Sequence, residues 1–183
     1  MDTFTGNLLQ ALLFAAHFHS QQRRKGATHE PYINHPIAVA ELLWRCGVHQ
    51  PEILIAAVLH DTLEDTAATP QDLTERFGAP VCALVQEVSD DKSLPKAERK
   101  RLQILHAAQV SQAAKAIKLA DKTCNLRDLS VSPPPDWSAE RLLEYVLWAE
   151  RVAAGLRGNY PALEQAFDQA LAEAKNTFQN NQL

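Results

Sequence analysis

The chain has 183 residues, 46% of them hydrophobic and 22% charged, with a net charge of −4. That length suits one domain with a sizeable core, and the slight acidity argues against generic electrostatic binding to nucleic acid. Cys46, Cys82 and Cys124 form no C-x-x-C pair, which argues against a disulfide framework and fits a reduced, cytoplasmic protein.

Residues 3–21 read as an amphipathic helix with Leu8, Leu9, Leu12, Leu13 and Ala16 inward. His17 and His19, near its end, read as satisfied or exposed side chains. Arg23, Arg24 and Lys25 then stand in succession before Gly26 and a polar loop to Pro31. Cations there usually complete a helix end. The alternative is contact with a phosphate or a base, since Arg offers a planar fork and Lys a point charge. Asn34 reads as the cap of a helix with His35 and Pro36 in its first turn. Ile37, Ala40, Leu43 and Trp44 form its apolar face, and Gly47 ends it. The positive helix end disfavours a charged imidazole at His35, and a metal ligand must be neutral.

A helix from Pro51 to about Leu63 follows. Its run Ile53 to Leu59 is apolar on every side and predicts burial all round. It leads into Val-Leu-His-Asp-Thr-Leu-Glu-Asp, residues 58–65, around which the chain is organised. On a helix, Glu64 follows His60 by four positions and Asp61 by three, so these side chains share a turn. His60 and Asp61 are adjacent, about 100° apart, and converge on a metal only at a helix end or an irregular turn. The plain alternative is the solvated end of a helix.

Thr69 caps a short helix that Gly78 closes. Residues 79–90 form the next, with Val81, Leu84, Val85 and Val88 inward. Pro95 opens a helix to about Ala108 whose first turns carry Lys96, Arg99, Lys100 and Arg101, either a solvated face or a source of cations for a phosphate. On the helix from Gln112 to Leu129, Ala113, Ala116, Ile117 and Ala120 face inward. Lys118, Asp121, Asn125 and Asp128 run along one stripe, which taken alone reads as a solvated face. A buried Asp is costly unless paired or bound to a cation. After a proline loop, Ser138 caps a helix to about Arg157, with Leu142, Leu143, Val146, Leu147 and Ala153 inward. Trp137, Arg141 and Tyr145 share one side, as an edge of the core or a wall that stacks a nucleobase. Pro161 opens a last helix using Leu163, Ala166, Phe167, Ala170, Leu171 and Phe178, and residues 179–183 should fray. No convincing strand appears. No apolar run approaches the ~18–20 residues needed to span a bilayer, and the stretch before Leu8 lacks the basic character of a signal peptide. The expectation is a single all-α domain over 1–183, a bundle of about nine or ten helices, with no membrane partner.

His35, His60, Asp61 and Asp121 combine two imidazoles with two carboxylates. That set suits a divalent ion of intermediate hardness, Mn²⁺, Fe²⁺ or Zn²⁺. Without Cys it is no closed zinc site, and four protein ligands leave room for water and a substrate oxygen.

A His, a distant adjacent His-Asp pair and a later Asp is the pattern of the HD superfamily of metal-dependent phosphohydrolases. The strings "QRRK", "YINHP", "LHDTLEDT", "DDKSLPKAERKR", "KLADKTCNLRDL" and "WSAERLLEYVLWA" stand in that order between residues 8 and 170. They resemble the hydrolase domain of the RelA/SpoT proteins, above all its stand-alone form, the small alarmone hydrolases that include the metazoan SpoT homolog. The resemblance implies hydrolysis of the 3′-pyrophosphate of ppGpp or pppGpp to GDP or GTP and pyrophosphate. It implies one Mn²⁺ per chain on His35, His60, Asp61 and Asp121, with Glu64 and Asp65 positioning and deprotonating the water. It implies that Arg24 borders the guanine, Lys25 meets phosphate or the base edge, and Lys96 faces the 5′-phosphates. Asn125 would reach the ribose or 3′-phosphate, and Arg141 and Tyr145 would close the pocket. The family's helix often carries a bulky residue and His where this chain has Thr123 and Cys124, which reads as a packing change. Removal of the 2′-phosphate of NADPH is the main enzymatic alternative implied. A nucleotide-binding module without turnover and an HD nucleotidase for deoxynucleotides are the others.

Overall fold

The run Ile53 to Leu59 sets the centre of the molecule, because all seven side chains are buried. In the computed structural model, which describes residues 3–179, this run belongs to α3 (Pro51–Leu59). Around it stand α1 (Thr3–Phe18), α2 (Asn34–Arg45) and α6 (Ala79–Val88). A single turn, α4 (Thr62–Asp65), and α5 (Pro70–Phe77) connect α3 to α6. The second half holds α7 (Lys96–His106), α8 (Gln112–Val131), α9 (Ala139–Ala154) and α10 (Pro161–Gln179). Helix α8 lies against α2, α3, α6, α9 and α10, so it is wrapped on most sides. No strand occurs among the described residues beyond an isolated bridge between Arg23 and Pro31. No helix among them is long and apolar enough to cross a membrane. The three cysteines are free thiols. The fraying expected of 179–183 falls outside the described residues, except for Gln179, the last residue of α10.

The helix starts follow local chemistry. The Thr69 hydroxyl accepts from the Asp72 backbone N–H while Asp72 accepts from the Thr69 backbone, a full capping box. Ser111 and Ser138 cap α8 and α9 through their hydroxyls. Gly47 and Gly78 follow their helices at φ of +85° and +88°, where L side chains are strained.

Four expectations are corrected. Helix α1 ends at Phe18 and turns differently, burying Ala11, Phe14 and Ala15 while Leu9 and Leu13 are 61% and 74% exposed. Its apolar residues span more than one face, and the face with Ala11, Phe14 and Ala15 is the buried one in a helix that packs on α3. In α2, Asn34 is the first helical residue and no cap, and its amide donates to Glu30. Val39, Leu42 and Leu43 point inward there, whereas Ile37 and Trp44 lie outside. In α9, Trp148 takes the inward place and Leu147 is exposed, because the Trp148 indole N–H finds the Lys100 carbonyl at 3.0 Å. Finally, the helix expected from Pro51 to Leu63 breaks at His60 and Asp61. There the His60 Nδ1–H donates to the Ala57 carbonyl (2.8 Å) and the Thr62 hydroxyl to the Leu59 carbonyl (2.7 Å). Side chains thus take carbonyls at the end of α3, in competition with the helix.

Helix α10 closes the core with Leu163, Phe167, Ala170 and Ala174, all essentially without exposure. Phe167→Ala is expected to destabilise the fold by about 3–5 kcal/mol, the cost of emptying a well-packed aromatic site. Urea unfolding would read this as a lower midpoint at constant slope, and an unchanged midpoint would remove Phe167 from the core.

Candidate metal centre and adjoining cavity

The break between α3 and α4 positions the site. His60 ends the buried helix, and Asp61 adopts φ −97° and ψ −3°, which turns its carboxylate toward the same cavity as the His60 ring. His35 arrives from the first turn of α2 and Asp121 from the middle of α8. One ligand atom each from His35, His60 and Asp121 lies within 4.8 Å of the others. His35 Nε2 is 3.0 Å from Asp121 Oδ1, and His60 Nε2 is 3.9 Å from the same oxygen. Asp61 stands beside this triplet, with Oδ2 3.0 Å from His60 Nε2.

These atoms suit a cation. The bond from Nδ1 to the Ala57 carbonyl fixes the neutral tautomer of His60, so Nε2 presents a lone pair between two carboxylates. No geometrically sound hydrogen bond completes that buried Nε2, even though Asp61 Oδ2 is close. Burial disfavours charge at His60, but Asp61 and Asp121 outweigh it and push its pKa up to about 9. The demand for positive charge there can be met by a proton or a metal. Burial holds His35 low against the pull of Asp121, as a neutral ligand requires. Asp61 and Asp121 are half-buried, which works against their charge, yet the facing imidazoles and, for Asp121, Lys122 keep both well below the usual carboxylate range.

Further groups hold these donors in place. The Tyr32 hydroxyl donates to Asp61 Oδ2 at 2.5 Å. Asn125 donates to Asp121 Oδ1 at 2.5 Å, and Lys122 donates to Asp121 Oδ2 at 2.8 Å. Lys122 also sits 4.9 Å over the Trp148 ring, so a second side of its charge is covered. Behind Tyr32, the His19 ring packs at 4.9 Å. His19 Nδ1 donates to Gln22, whose amide in turn donates to the Asp65 carbonyl.

The donors line a cavity of about 140 Å³ together with Tyr32, Glu64, Gln103, Lys118, Lys122 and Asn125. A wider cavity of about 350 Å³ adjoins it and shares Tyr32 and Asn125. Arg24, Lys25, Asp65, Trp137 and Tyr145 are among its lining. The volume is that of a small-molecule site.

The two acids on α4 therefore separate. Glu64 faces the metal cavity and Asp65 the wider one. Glu64 Oε2 accepts from the Asp90 backbone N–H at 2.9 Å. Lys92 bridges Glu64 and Asp65, and Arg99 stands 3.5 Å from Glu64. Burial, reinforced by Asp90 and Asp61, raises the Glu64 pKa against the Asp90 N–H and Lys92.

The expected substrate contacts distribute unevenly. Arg24 is held by Asn125 Oδ1 (2.7 Å) and Asp128 Oδ2 (2.6 Å), with its guanidinium 5.5 Å over the Tyr32 ring. Burial pushes the Tyr145 phenol up to about 12, so it remains a neutral donor. Lys96 and Arg141 line neither cavity. Arg141 stacks at 4.3 Å on Trp137. Lys96 is exposed and lies within the fields of Arg141 and Lys25, which places these cations around the rim. Thr123 and Cys124 are buried, and Thr123 bonds its own helix at Leu119. Neither side chain lines either cavity.

Tyr32, Lys92, Gln103 and Lys122 were not picked out from the sequence as parts of the site. Tyr32 and Lys92 lie inside strings already singled out, "YINHP" and "DDKSLPKAERKR", and were open to being read. Lys122 also lies inside such a string, "KLADKTCNLRDL", but its ring partner Trp148 comes from another helix, and Gln103, outside every string, carried no signal because its partner Asp90 comes from another element.

A family model described as HD domain matches residues 11–152. A guanosine-3′,5′-bis(diphosphate) 3′-pyrophosphohydrolase of Danio rerio, MESH1, is 50% identical over 170 residues, 92% of this chain and 94% of its own. The Homo sapiens protein of the same name is 50% identical over 167 residues, 91% of this chain and 93% of its own. A bifunctional (p)ppGpp synthase/hydrolase, SpoT of Escherichia coli, is 42% identical over 134 residues, 69% of this chain but 18% of that longer protein. Among solved structures, a metazoan ortholog of SpoT that hydrolyzes ppGpp superposes with a TM-score of 0.88 at 47% identity. That match covers 91% of this chain and 94% of the other.

Proposed function

The chain belongs to the HD domain family, and from that membership we propose that it removes the 3′-pyrophosphate of ppGpp or pppGpp, leaving GDP or GTP. Relatives named for this reaction share half of their residues with it along nine-tenths of the chain. The observation that carries the reading is the junction of the two cavities, a cation site opening through Tyr32 and Asn125 into a space of nucleotide size. The partner is a small guanine nucleotide rather than nucleic acid. The free thiols and the absence of a membrane-spanning helix among the described residues support a cytoplasmic place, and we read residues 1–183 as one catalytic domain.

In this reading His35, His60, Asp61 and Asp121 hold one Mn²⁺. When bound, the ion supplies Lewis-acid polarisation and positive charge beside the phosphate under attack. Glu64 takes a proton from the attacking water, a role its raised pKa supports. Asp65, coupled to it through Lys92, orders the water from the wider cavity. The water oxygen bonds to phosphorus as the bond from phosphorus to the ribose 3′ oxygen breaks. The 3′ oxygen gains a proton, and pyrophosphate departs. Arg24 borders the guanine, and Lys25 meets the base edge or a phosphate. Asn125 reaches the ribose or the 3′-phosphate, and Tyr145 and Arg141 close the pocket. Lys96 draws the 5′-phosphates to the rim. Positioning and charge neutralisation at the phosphate under attack supply most of the catalysis.

The test is turnover of ppGpp and NADPH side by side, with Mn²⁺ and with chelator. Mn²⁺-dependent release of pyrophosphate from ppGpp is expected. Phosphate released from NADPH alone would keep the site and move the function to a cofactor 2′-phosphatase. A metal-loaded protein that turns over neither would be a binding module.

A further inference from the structure

Two lysines from α8 line the metal cavity, and they are differently committed. Lys122 gives its charge to Asp121 at 2.8 Å and to the face of Trp148. Lys118, one turn earlier, makes one bond, from Nζ to the Val88 carbonyl at 2.9 Å. No carboxylate among the described residues is recorded within ion-pair distance of it. Burial, aided by Lys122, works against its charged form, and the more distant Asp90, Asp121 and Glu64 only partly offset this. An ammonium has three donors, so up to two remain for a guest. Across the same cavity Gln103 donates to Asp90 at 2.7 Å, and its Oε1 is buried with no partner. An unsatisfied acceptor and an undercommitted cation lining one cavity mark space made for a polar guest.

The charges of the cavity agree. Asp61, Glu64 and Asp121 carry three negative charges and Lys118 and Lys122 two positive ones. A divalent cation turns the sum of −1 into +1, so an anion is welcome once the metal is in place. With Lys122 engaged by Asp121, Lys118 is the cation free to meet it.

We propose that Lys118 is a further catalytic residue, whose ammonium binds a non-bridging oxygen of the phosphoryl group under attack and neutralises charge that grows there. The role rests on the phosphohydrolase reading above. A merely structural role is the competitor. Val88 ends α6, and a lysine on a terminal carbonyl is a common helix stop.

Lys118→Met and Lys118→Arg separate the two roles in the Mn²⁺-loaded protein. The Met variant is expected to keep one Mn²⁺ per chain and its melting temperature, and to lose about 10²–10³-fold in kcat with a small change in KM, as removal of one charge-stabilising donor does. The Arg variant should recover much of the loss. Inorganic pyrophosphate is the second probe, and its Kd for the metal-loaded protein should rise at least about tenfold in the Met variant, a loss in line with a charge-assisted bond. Unchanged kcat and unchanged pyrophosphate affinity in Lys118→Met would overturn the proposal, as would an equal loss in the Met and Arg variants accompanied by a fallen melting temperature. If the native chain does not hydrolyse ppGpp, the nucleotide reading fails separately, and pyrophosphate binding still decides the role of Lys118.

Discussion

Asp121→Ala is expected to abolish stoichiometric metal binding and, with it, hydrolysis. No other donor touches so much of the site. One carboxylate oxygen meets His35, His60 and Asn125, and the other meets Lys122. Removing a group that only orients a ligand costs ~10–100-fold in metal affinity, so loss of a ligand should cost more than about 100-fold. A second effect travels with it. Lys122 is buried, and its charge is held up by Asp121. Stranding one partner of a buried pair costs about 3–5 kcal/mol. The Asp121→Asn variant limits that penalty by keeping an oxygen for Asn125 or Lys122. Calorimetric titration with Mn²⁺ on both variants, beside thermal melting, separates ligand loss from unfolding. Unchanged Mn²⁺ affinity in a folded variant would remove Asp121 from the site.

Helix existence was legible because period and punctuation agreed. Thr69 with Pro70 and Asp72 forms the capping box, and Gly78 closes the helix at positive φ. Which face turns inward was less legible. Along α1 apolar residues cover more than half of the circumference, so period alone does not choose between the Leu9 and Leu13 side and the Ala11 and Ala15 side. Packing against the rest of the fold, α3 included, chooses the side that carries Ala11, Phe14 and Ala15. Trp148 shows the same limit, since its place depends on the Lys100 carbonyl, 48 residues away.

At the site, residue types and spacing pointed to the donors, and the adjacency of His60 and Asp61 demanded an irregular turn. The break between α3 and α4 meets that demand. What spacing did not contain is the separation of Glu64 from Asp65 between two cavities. On a regular helix the two share a side with the ligands. The break reorients α4, and Lys92, from the segment after α6, then bridges both acids. The commitment of Lys122 to Trp148 was likewise beyond reach, because a lysine beside a ligand on α8 reads as solvated until α9 is packed against it.

That separation bears on the second large effect. The double variant Glu64→Gln plus Asp65→Asn is expected to keep one Mn²⁺ per chain and to lose turnover by about 10³-fold or more, within the range general acid–base groups supply. Asp61 and Asp121 stand 3.0 and 3.9 Å from His60 Nε2, and among the described residues neither Glu64 nor Asp65 pairs with either imidazole, so the metal should stay. Both replacements keep shape. Gln at position 64 retains an oxygen for the Asp90 N–H, and Lys92, about half exposed, turns to solvent when its two partners lose charge. The single variants should differ, because Glu64 alone faces the metal cavity. Glu64→Gln should carry most of the loss in kcat, while Asp65→Asn should act more on KM through the wider cavity. Metal analysis and steady-state kinetics on the three proteins decide the matter. A double variant without stoichiometric Mn²⁺ would make the acids part of the metal site. Equal kcat losses in the two single variants would mean that both handle the water's proton together.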